Sequence, residues 1–308
     1  MYRQLSQAEI ETLQQQGCIA ENWKKVEVGI SFSPKSISDV RFSGNVKLGN
    51  QSGNVQIEES ITKPATIRNC YIENCTIDED VFITNVGSLI NYSVGSNVVI
   101  ENVGSLIVSG TTIFGNGHEI NVLNEGGGRE LPIFDKLSAQ VAYLLVMYRH
   151  NSTLIEKLKK MVAFYVEDKK SGVGEIGKNS VIQHTKSIRN VNVGPYTKIL
   201  GASKLVEGTI VSNEKAPVYI GEEVVAENFI VLSGSKIDGS AILSSTFVGQ
   251  GVIIGRQFSA ENTAFFANSE AFHGEACSVF AGPYTVTHHK STLLIAGMFS
   301  FYNAGSGS

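Results

Sequence analysis

The sequence predicts an all-β solenoid, a stack of short parallel strands with a capping helix at its start and an inserted α-helical hairpin near its middle. Three observations carry this. The octet "ITNVGSLI" at 83–90 returns almost unchanged as "IENVGSLI" at 100–107, a repeat of 17 residues. Aliphatic residues at Ile176, Ile182, Ile188, Val193, Ile199, Leu205 and Val211 follow one another at steps of five or six. Glycine is frequent, at 31 of 308 residues, and charged residues make up only 18%, a composition of many turns inside an ordered body.

Repeats of this length form stacks in which each unit buries its apolar face against its neighbours. A step of six fits a short strand followed by a tight turn, and three such steps make one coil of about 18 residues. The 17-residue repeat is then a coil with one residue deleted, which places Ile83 opposite Ile100. Glycine is expected at the turns, where it reaches positive φ at no steric cost.

The elements follow in order. Residues 1–36 form an N-terminal cap: "SQAE" at Ser6–Glu9 is a capping box, and Gly17 ends the helix that it starts. Residues 37–131 form the first block of strands. Residues 132–171 lose their glycines and take on helical periodicity, with Leu137, Val141, Leu144, Leu145 and Tyr148 on one face and Ile155, Leu158, Val162 and Tyr165 on another. Asn151 and Ser152 mark the start of the second helix of this hairpin, which serves either as a lid or subunit contact or as a plain insertion with its own small core. Residues 172–308 form the second block.

Charge is near balance, with 25 basic and 29 acidic residues interspersed, so there is no basic footprint for nucleic acid. No apolar run reaches the roughly 18 residues of a membrane span, and the polar N-terminus lacks a signal-peptide core, from which a cytoplasmic location is expected. Cys18, Cys70, Cys75 and Cys277 form no CxxC pair and are expected to be reduced, packed thiols. The triple glycine at 126–128 lacks the lysine of a phosphate-binding loop and reads as a turn.

An aliphatic residue followed by glycine recurs at Leu48-Gly49, Val94-Gly95, Ile176-Gly177, Val193-Gly194, Ile220-Gly221, Val248-Gly249 and Ile254-Gly255. In this the chain resembles the hexapeptide-repeat proteins, and the resemblance implies a left-handed parallel β-helix. The stretches "FGNGHEINVLNEGGGRE", "DKLSAQVAYLLVMYRH" and "GPYTVTHHKSTLLIAGMFSFYNAGSGS" resemble more closely a bacterial hexapeptide-repeat family of unassigned activity. That family has an N-terminal cap, a split β-helix and an inserted helical pair. Its members run on past the point where this sequence stops, so the sequence reads as the N-terminal part of such a protein.

The broader resemblance implies an acyltransferase. Such enzymes act as homotrimers and pass an acyl group from acyl-CoA or acyl carrier protein, a co-substrate rather than a tightly bound cofactor, to a sugar nucleotide or another small amine or alcohol. A histidine near the cleft between subunits takes the proton of the attacking group, which an imidazole of ordinary pKa near 6.5 does at neutral pH. His289 is the first candidate, His288 the second and His118 the third. Alternation in the strand, with Val286 facing the core, turns His288 inward and His289 outward. Lys290 is assigned to the acyl donor, with Gly282 and Gly297 leaving room for its approach. Asn121, Asn124, Glu125 and Arg129, dense at the exit from the first block, are assigned to the small-molecule substrate. The phenylalanines of "NTAFFANSEAF" and "MFSFY" are expected to stack inside the coils, with an apolar acyl pocket as the other reading.

The zinc-dependent carbonic anhydrase class of the same fold needs a histidine pair five residues apart that this sequence lacks, so no metal is expected. The competing reading is a noncatalytic β-helix scaffold or a regulatory module that binds a sugar nucleotide, supported by the missing diagnostic active-site motif.

Overall fold

The computed structural model describes residues 2–58 and 60–304. The chain is mostly β. Among the described residues, 28 strands join into one sheet, in which every pairing is parallel except that of Tyr2–Gln4 with Val26–Gly29. Ile83 lies opposite Ile100 in the paired strands Phe82–Ile90 and Val99–Ile107, as the octet repeat requires. Further along, Ile176 pairs with Val193, Ile182 with Ile199 and Ile188 with Leu205. The series then departs from the expectation: Val193 lies opposite Ile210, and Val211 points the other way and packs against a second apolar cluster. Counting in sixes overshoots by one because this repeat, too, has 17 residues.

These aliphatic positions are almost fully buried, from Leu48 and Val94 to Ile254, and form a continuous column of apolar side chains. Each such side chain removed from water contributes roughly 1.5–3 kcal/mol. The glycines behind them act differently from the expectation. None of Gly49, Gly177, Gly194 or Gly249 has positive φ. They instead allow close approach: a Cβ on Gly194 would stand 2.6 Å from the carbonyl oxygen of Ile210 in the next repeat. Many corners with positive φ are taken by asparagine, whose short side chain tolerates this region. Asn69, Asn85 and Asn102 (φ 53°, 56° and 54°) occupy one such corner in successive repeats, and their amides hydrogen-bond in series at 3.0 and 2.9 Å.

Helix α1 (Gln7–Gln15) has the reciprocal Ser6/Glu9 capping box, and Gly17 beyond its end has φ 81°. Its Leu13 is buried in the apolar column.

The parallel ladder is left after Ile107 and rejoined at Gly174, so the exit precedes the composition change at 132. The sheet itself is unbroken there, because Val99–Ile107 pairs directly with Val181–Gln183 and Ser187–Val193. Thr112 and Ser171 exchange two backbone hydrogen bonds of 2.9 Å and close the neck of the excursion. Helices α2 (Ala139–Met147) and α3 (Ser152–Glu167) are capped by Ser138 and Asn151. Ile155, Leu158, Val162 and Tyr165 face inward as expected, but the buried face of α2 is Ala142, Leu145 and Val146. Tyr148 follows the last turn, where the chain leaves helical geometry, and is exposed against the edge of Tyr143.

The hairpin covers one outer face of the sheet. Alternation within the strands sends Phe229, Val231, Val248 and Phe265 into the inner column, and Ile230, Phe247, Ala264 and Phe280 outward beneath α2 and α3. Phe265 and Phe266 are thus both buried, on opposite faces. Phe299 and Phe301 are exposed, against the expectation that the phenylalanines stack inside the coils.

Candidate functional site

Between the neck and the hairpin, residues 112–123 run along the stack and touch one repeat after another. Thr112 Oγ1 donates to Glu207 Oε2 (2.6 Å), and Phe114, with φ 51°, is wholly buried in the inner column. Asn116 Nδ2 donates to Thr209 Oγ1 (2.9 Å), which itself donates to the Phe114 carbonyl (2.7 Å). Further on, the Asn121 N–H donates to Asn262 Oδ1 (3.3 Å) and the Leu123 N–H to the Ser278 carbonyl (2.8 Å). Glu207, Ser245, Asn262 and Ser278 all have positive φ, so this seam follows a column of left-handed corners.

His118 sits in the middle of this seam. Gly117 (φ 83°) turns the chain, and the His118 carbonyl accepts from the Ile133 N–H at 2.9 Å, which opens the antiparallel pair Glu119–Asn121 and Glu130–Pro132. Ile120 and Leu131 from that pair are buried among Phe247, Ala264 and Phe280. With its backbone so fixed, the half-buried imidazole places Nε2 2.9 Å from Ser245 Oγ. Burial lowers the pKa of His118, against a smaller upward pull from Glu119. Glu119 is itself paired with Lys159 of α3 at 2.9 Å. The arrangement is an imidazole whose charged form burial disfavours, held by a serine hydroxyl at hydrogen-bond distance, which is how an oriented general base is built.

On the hairpin side, Asp135 ties the neck to α3. Its Oδ1 accepts from Tyr165 at 2.5 Å, its Oδ2 pairs with Lys169 at 2.9 Å, and its N–H donates to Asn116 Oδ1 at 2.9 Å.

The other expected residues are placed apart from this centre. Thr285 and Thr287 face the core and Val286 does not, so the alternation is opposite to the expectation and His288 points outward. The physical reason is hydrogen bonding: Thr285 Oγ1 reaches the Gly282 carbonyl (2.8 Å) and Thr287 bonds Ser291, which satisfies these inward hydroxyls. His288 pairs with Glu270 at 2.6 Å beside the Phe272 ring, and His289 and Lys290 are exposed in the following turn. Gly282 and Gly297 are filled in: a Cβ would stand 2.5 Å from the carbonyl oxygens of Met298 and Phe299 in the first case, and 2.7 Å from Leu123 Cδ2 in the second.

Asn124, Glu125 and Arg129 are engaged within the chain. Asn124 closes its own turn by accepting from the Gly126 N–H (3.0 Å), and Glu125 accepts from the Cys277 thiol (3.3 Å). Arg129 donates to the Val146 carbonyl at 3.3 Å. Nearby Glu130 is held at a pKa of about 2, first by the Gly128 N–H and further by Arg149. Ser245 and Asn262 were not foreseen: "LSSTF" is an ordinary strand sequence, and Ser245 lies 127 residues from the histidine that it meets. Among the described residues, no group of three metal-ligating side chains is found, and no helix is long and apolar enough to cross a membrane.

The chain belongs to the family described as "Domain of unknown function (DUF4954)", which it matches over residues 2–308. It is similar to an "Uncharacterized protein" of Treponema pallidum (strain Nichols), 26% identical over 247 residues. The match covers 77% of this chain and 34% of that relative, so the chain spans about a third of the length of the protein it resembles.

Proposed function

We propose that the chain is a left-handed parallel β-helix of hexapeptide-repeat type and that it transfers an acyl group from a pantetheine thioester, acyl-CoA or acyl carrier protein, to a small alcohol or amine. The observation that carries this reading is the 2.9 Å contact between the half-buried His118 Nε2 and Ser245 Oγ, with the imidazole pKa lowered by burial. The solenoid part of the reading is supported by parallel register at 17-residue steps and by the inward aliphatic column.

In this mechanism His118 takes the proton of the acceptor's hydroxyl or amine as it attacks the thioester carbonyl, and returns it to the pantetheine sulfur as the C–S bond breaks, so the products are the acylated acceptor and a free thiol. Ser245 holds the imidazole in place. Because the imidazole is neutral at pH 7, it is ready to accept, and a base so placed contributes roughly 10²–10⁴-fold. A homotrimer, as in the hexapeptide-repeat enzymes, would pack through faces of the stack that the α2–α3 hairpin leaves uncovered.

The test is calorimetric titration of acetyl-CoA into the purified protein, followed by thioester cleavage assays with amine and alcohol acceptors, for wild type, His118→Gln and Ser245→Ala. Saturable binding with turnover lost in His118→Gln is expected; absence of both binding and turnover overturns the reading.

A noncatalytic scaffold is the second reading, and one observation favours it. Asn124, Glu125, Arg129 and His288 each have an intrachain partner, so these side chains serve the fold without a ligand.

A further inference from the structure

A second concave site lies on the stack away from the helical hairpin. The antiparallel strands Asn54–Glu58 and Ile61–Pro64 form a sheet of their own, and the first of them walls a groove of about 500 Å³ against successive corners of the repeats. Its lining includes Asn54, Glu58, Asn97, Asn179, Tyr196 and Lys198, with Ile57 and Val181 as the apolar part of the wall.

Asn97, Asn179 and Tyr196 occupy one column. Their N–H groups donate to the carbonyls of Glu79, Ser96 and Lys178, each N–H reaching back to the residue just before the corner of the previous repeat. All three have positive φ, at 57°, 59° and 61°. Asparagine suits that backbone, whereas a bulky aromatic residue is strained there. Aromatic residues recur on comparable corners at Tyr284 and Phe301, but these two rings stack on each other at 5.0 Å and 2°. Tyr196 has no ring or cation partner among the described residues.

The side-chain amides of Asn54, Asn97 and Asn179 likewise have no hydrogen-bond partner among the described residues. Each amide offers two donors and one acceptor, and together with Glu58 and Lys198 they present both kinds of group within one groove. A ligand that fits has many neutral hydroxyls able to give and take hydrogen bonds, and one face of C–H groups to lie on a lone aromatic ring. That is the chemistry of a pyranose. The volume is within the range of small-molecule sites.

We propose that this groove binds a neutral saccharide, with Tyr196 as the platform and Asn97 and Asn179 as the amides that read its hydroxyls. The site shares no residue with the His118 centre and does not depend on acyl transfer.

The test is saturation-transfer NMR and calorimetry on the purified protein with glucose, galactose, mannose, N-acetylglucosamine, cellobiose and chitobiose. The variants are Tyr196→Gly, Asn179→Gly and His118→Gln. Glycine suits positive φ, so the first two keep the backbone, and circular dichroism with the thermal midpoint checks that they fold. The expected result is saturable binding of at least one sugar, weakened about tenfold or more (about 1.4 kcal/mol) in Tyr196→Gly and in Asn179→Gly. Binding is unchanged in His118→Gln, so failure of the acyltransfer reading leaves this result intact. Tighter binding of a disaccharide than of its monosaccharide identifies a longer glycan as the source; equal binding identifies a free sugar. No binding by any of the six, or binding untouched in the folded Tyr196→Gly and Asn179→Gly variants, overturns the proposal.

Discussion

His118 Nε2 and Ser245 Oγ meet at 2.9 Å across 127 residues of sequence, and they do so because the segment from Thr112 to Leu123 is pinned to a series of corners in the parallel stack. The contact therefore both fastens the seam and orients the imidazole proposed as the base, and the two roles separate by experiment. Replacing His118 with Gln keeps a hydrogen-bonding group near Ser245 but removes the base. Acyl transfer, where it is measured, is expected to fall by about 10²–10⁴-fold in this variant, while the thermal midpoint changes little. A large loss of midpoint with no activity in the wild type would reduce the pair to a fastening.

The same residue sets a pH dependence of stability. Burial lowers the folded-state pKa of His118 below its ordinary 6.5, so the unfolded chain binds a proton before the folded one does. Its contribution is in place above about pH 6.5 and is lost as pH falls through the lowered folded value. Thermal midpoints measured from pH 7.5 to 5 are expected to fall on acidification by less in His118→Gln than in the wild type. Parallel curves would show that the imidazole is no more buried than in the unfolded chain.

Tyr92 and Gly174 test the packing of the inner column where the inserted segment rejoins the sheet. Tyr92 is fully buried, its hydroxyl donates to the Val191 carbonyl at 3.0 Å, and a Cβ on Gly174 would stand 2.5 Å from the ring. Gly174→Ala is expected to cost about 1–3 kcal/mol through overpacking. Tyr92→Phe is expected to cost about 1–3 kcal/mol by leaving a buried carbonyl unpaired. Denaturant midpoints at constant m-value measure both.

Asp135 links the hairpin to the seam through Tyr165, Lys169 and Asn116. Its carboxylate is only 11% exposed, so Lys169→Met leaves a largely buried charge with one hydroxyl partner. Amide exchange is expected to speed up in α3 and in residues 130–137 by the equivalent of about 1–3 kcal/mol, with the parallel strands unaffected. Uniform acceleration through the chain would show that the hairpin and the stack unfold as one unit.

The parts that were legible in the sequence are those governed by local or periodic signals. Ile83 and Ile100 fall opposite each other because the octet repeats; Ser6 and Glu9 cap α1, and Asn151 caps α3, because a cap is decided within four residues. Where two rules compete, the sequence misleads. Val286 is aliphatic and would face the core on hydropathy alone, but Thr285 and Thr287 face inward because their hydroxyls find carbonyl and serine partners there. The candidate site itself depends on which corner residue the seam meets. No spacing near His118 specifies Ser245, and only the fold brings them together.

The insertion offers the sharpest test of how the molecule is organised. Val99–Ile107 already pairs with Val181–Gln183 and Ser187–Val193, and Thr112 and Ser171 are hydrogen-bonded neighbours, so the segment between them closes a loop whose ends touch. Excising residues 112–171 is therefore expected to preserve the parallel ladder and its far-ultraviolet β signature. It also uncovers Ile230, Phe247, Phe266 and Phe280, which α2, α3 and the Ile120–Leu131 pair now cover, and withdraws Phe114 from the inner column. An exposed stripe of that kind drives association. The shortened chain is expected to bind a hydrophobic dye and self-associate in sedimentation. Replacing Phe247, Phe266 and Phe280 with Thr is expected to restore a dispersed protein. If the shortened chain loses its β signature even with those replacements, the ladder depends on the insertion and the Phe114 anchor is the contact to examine first.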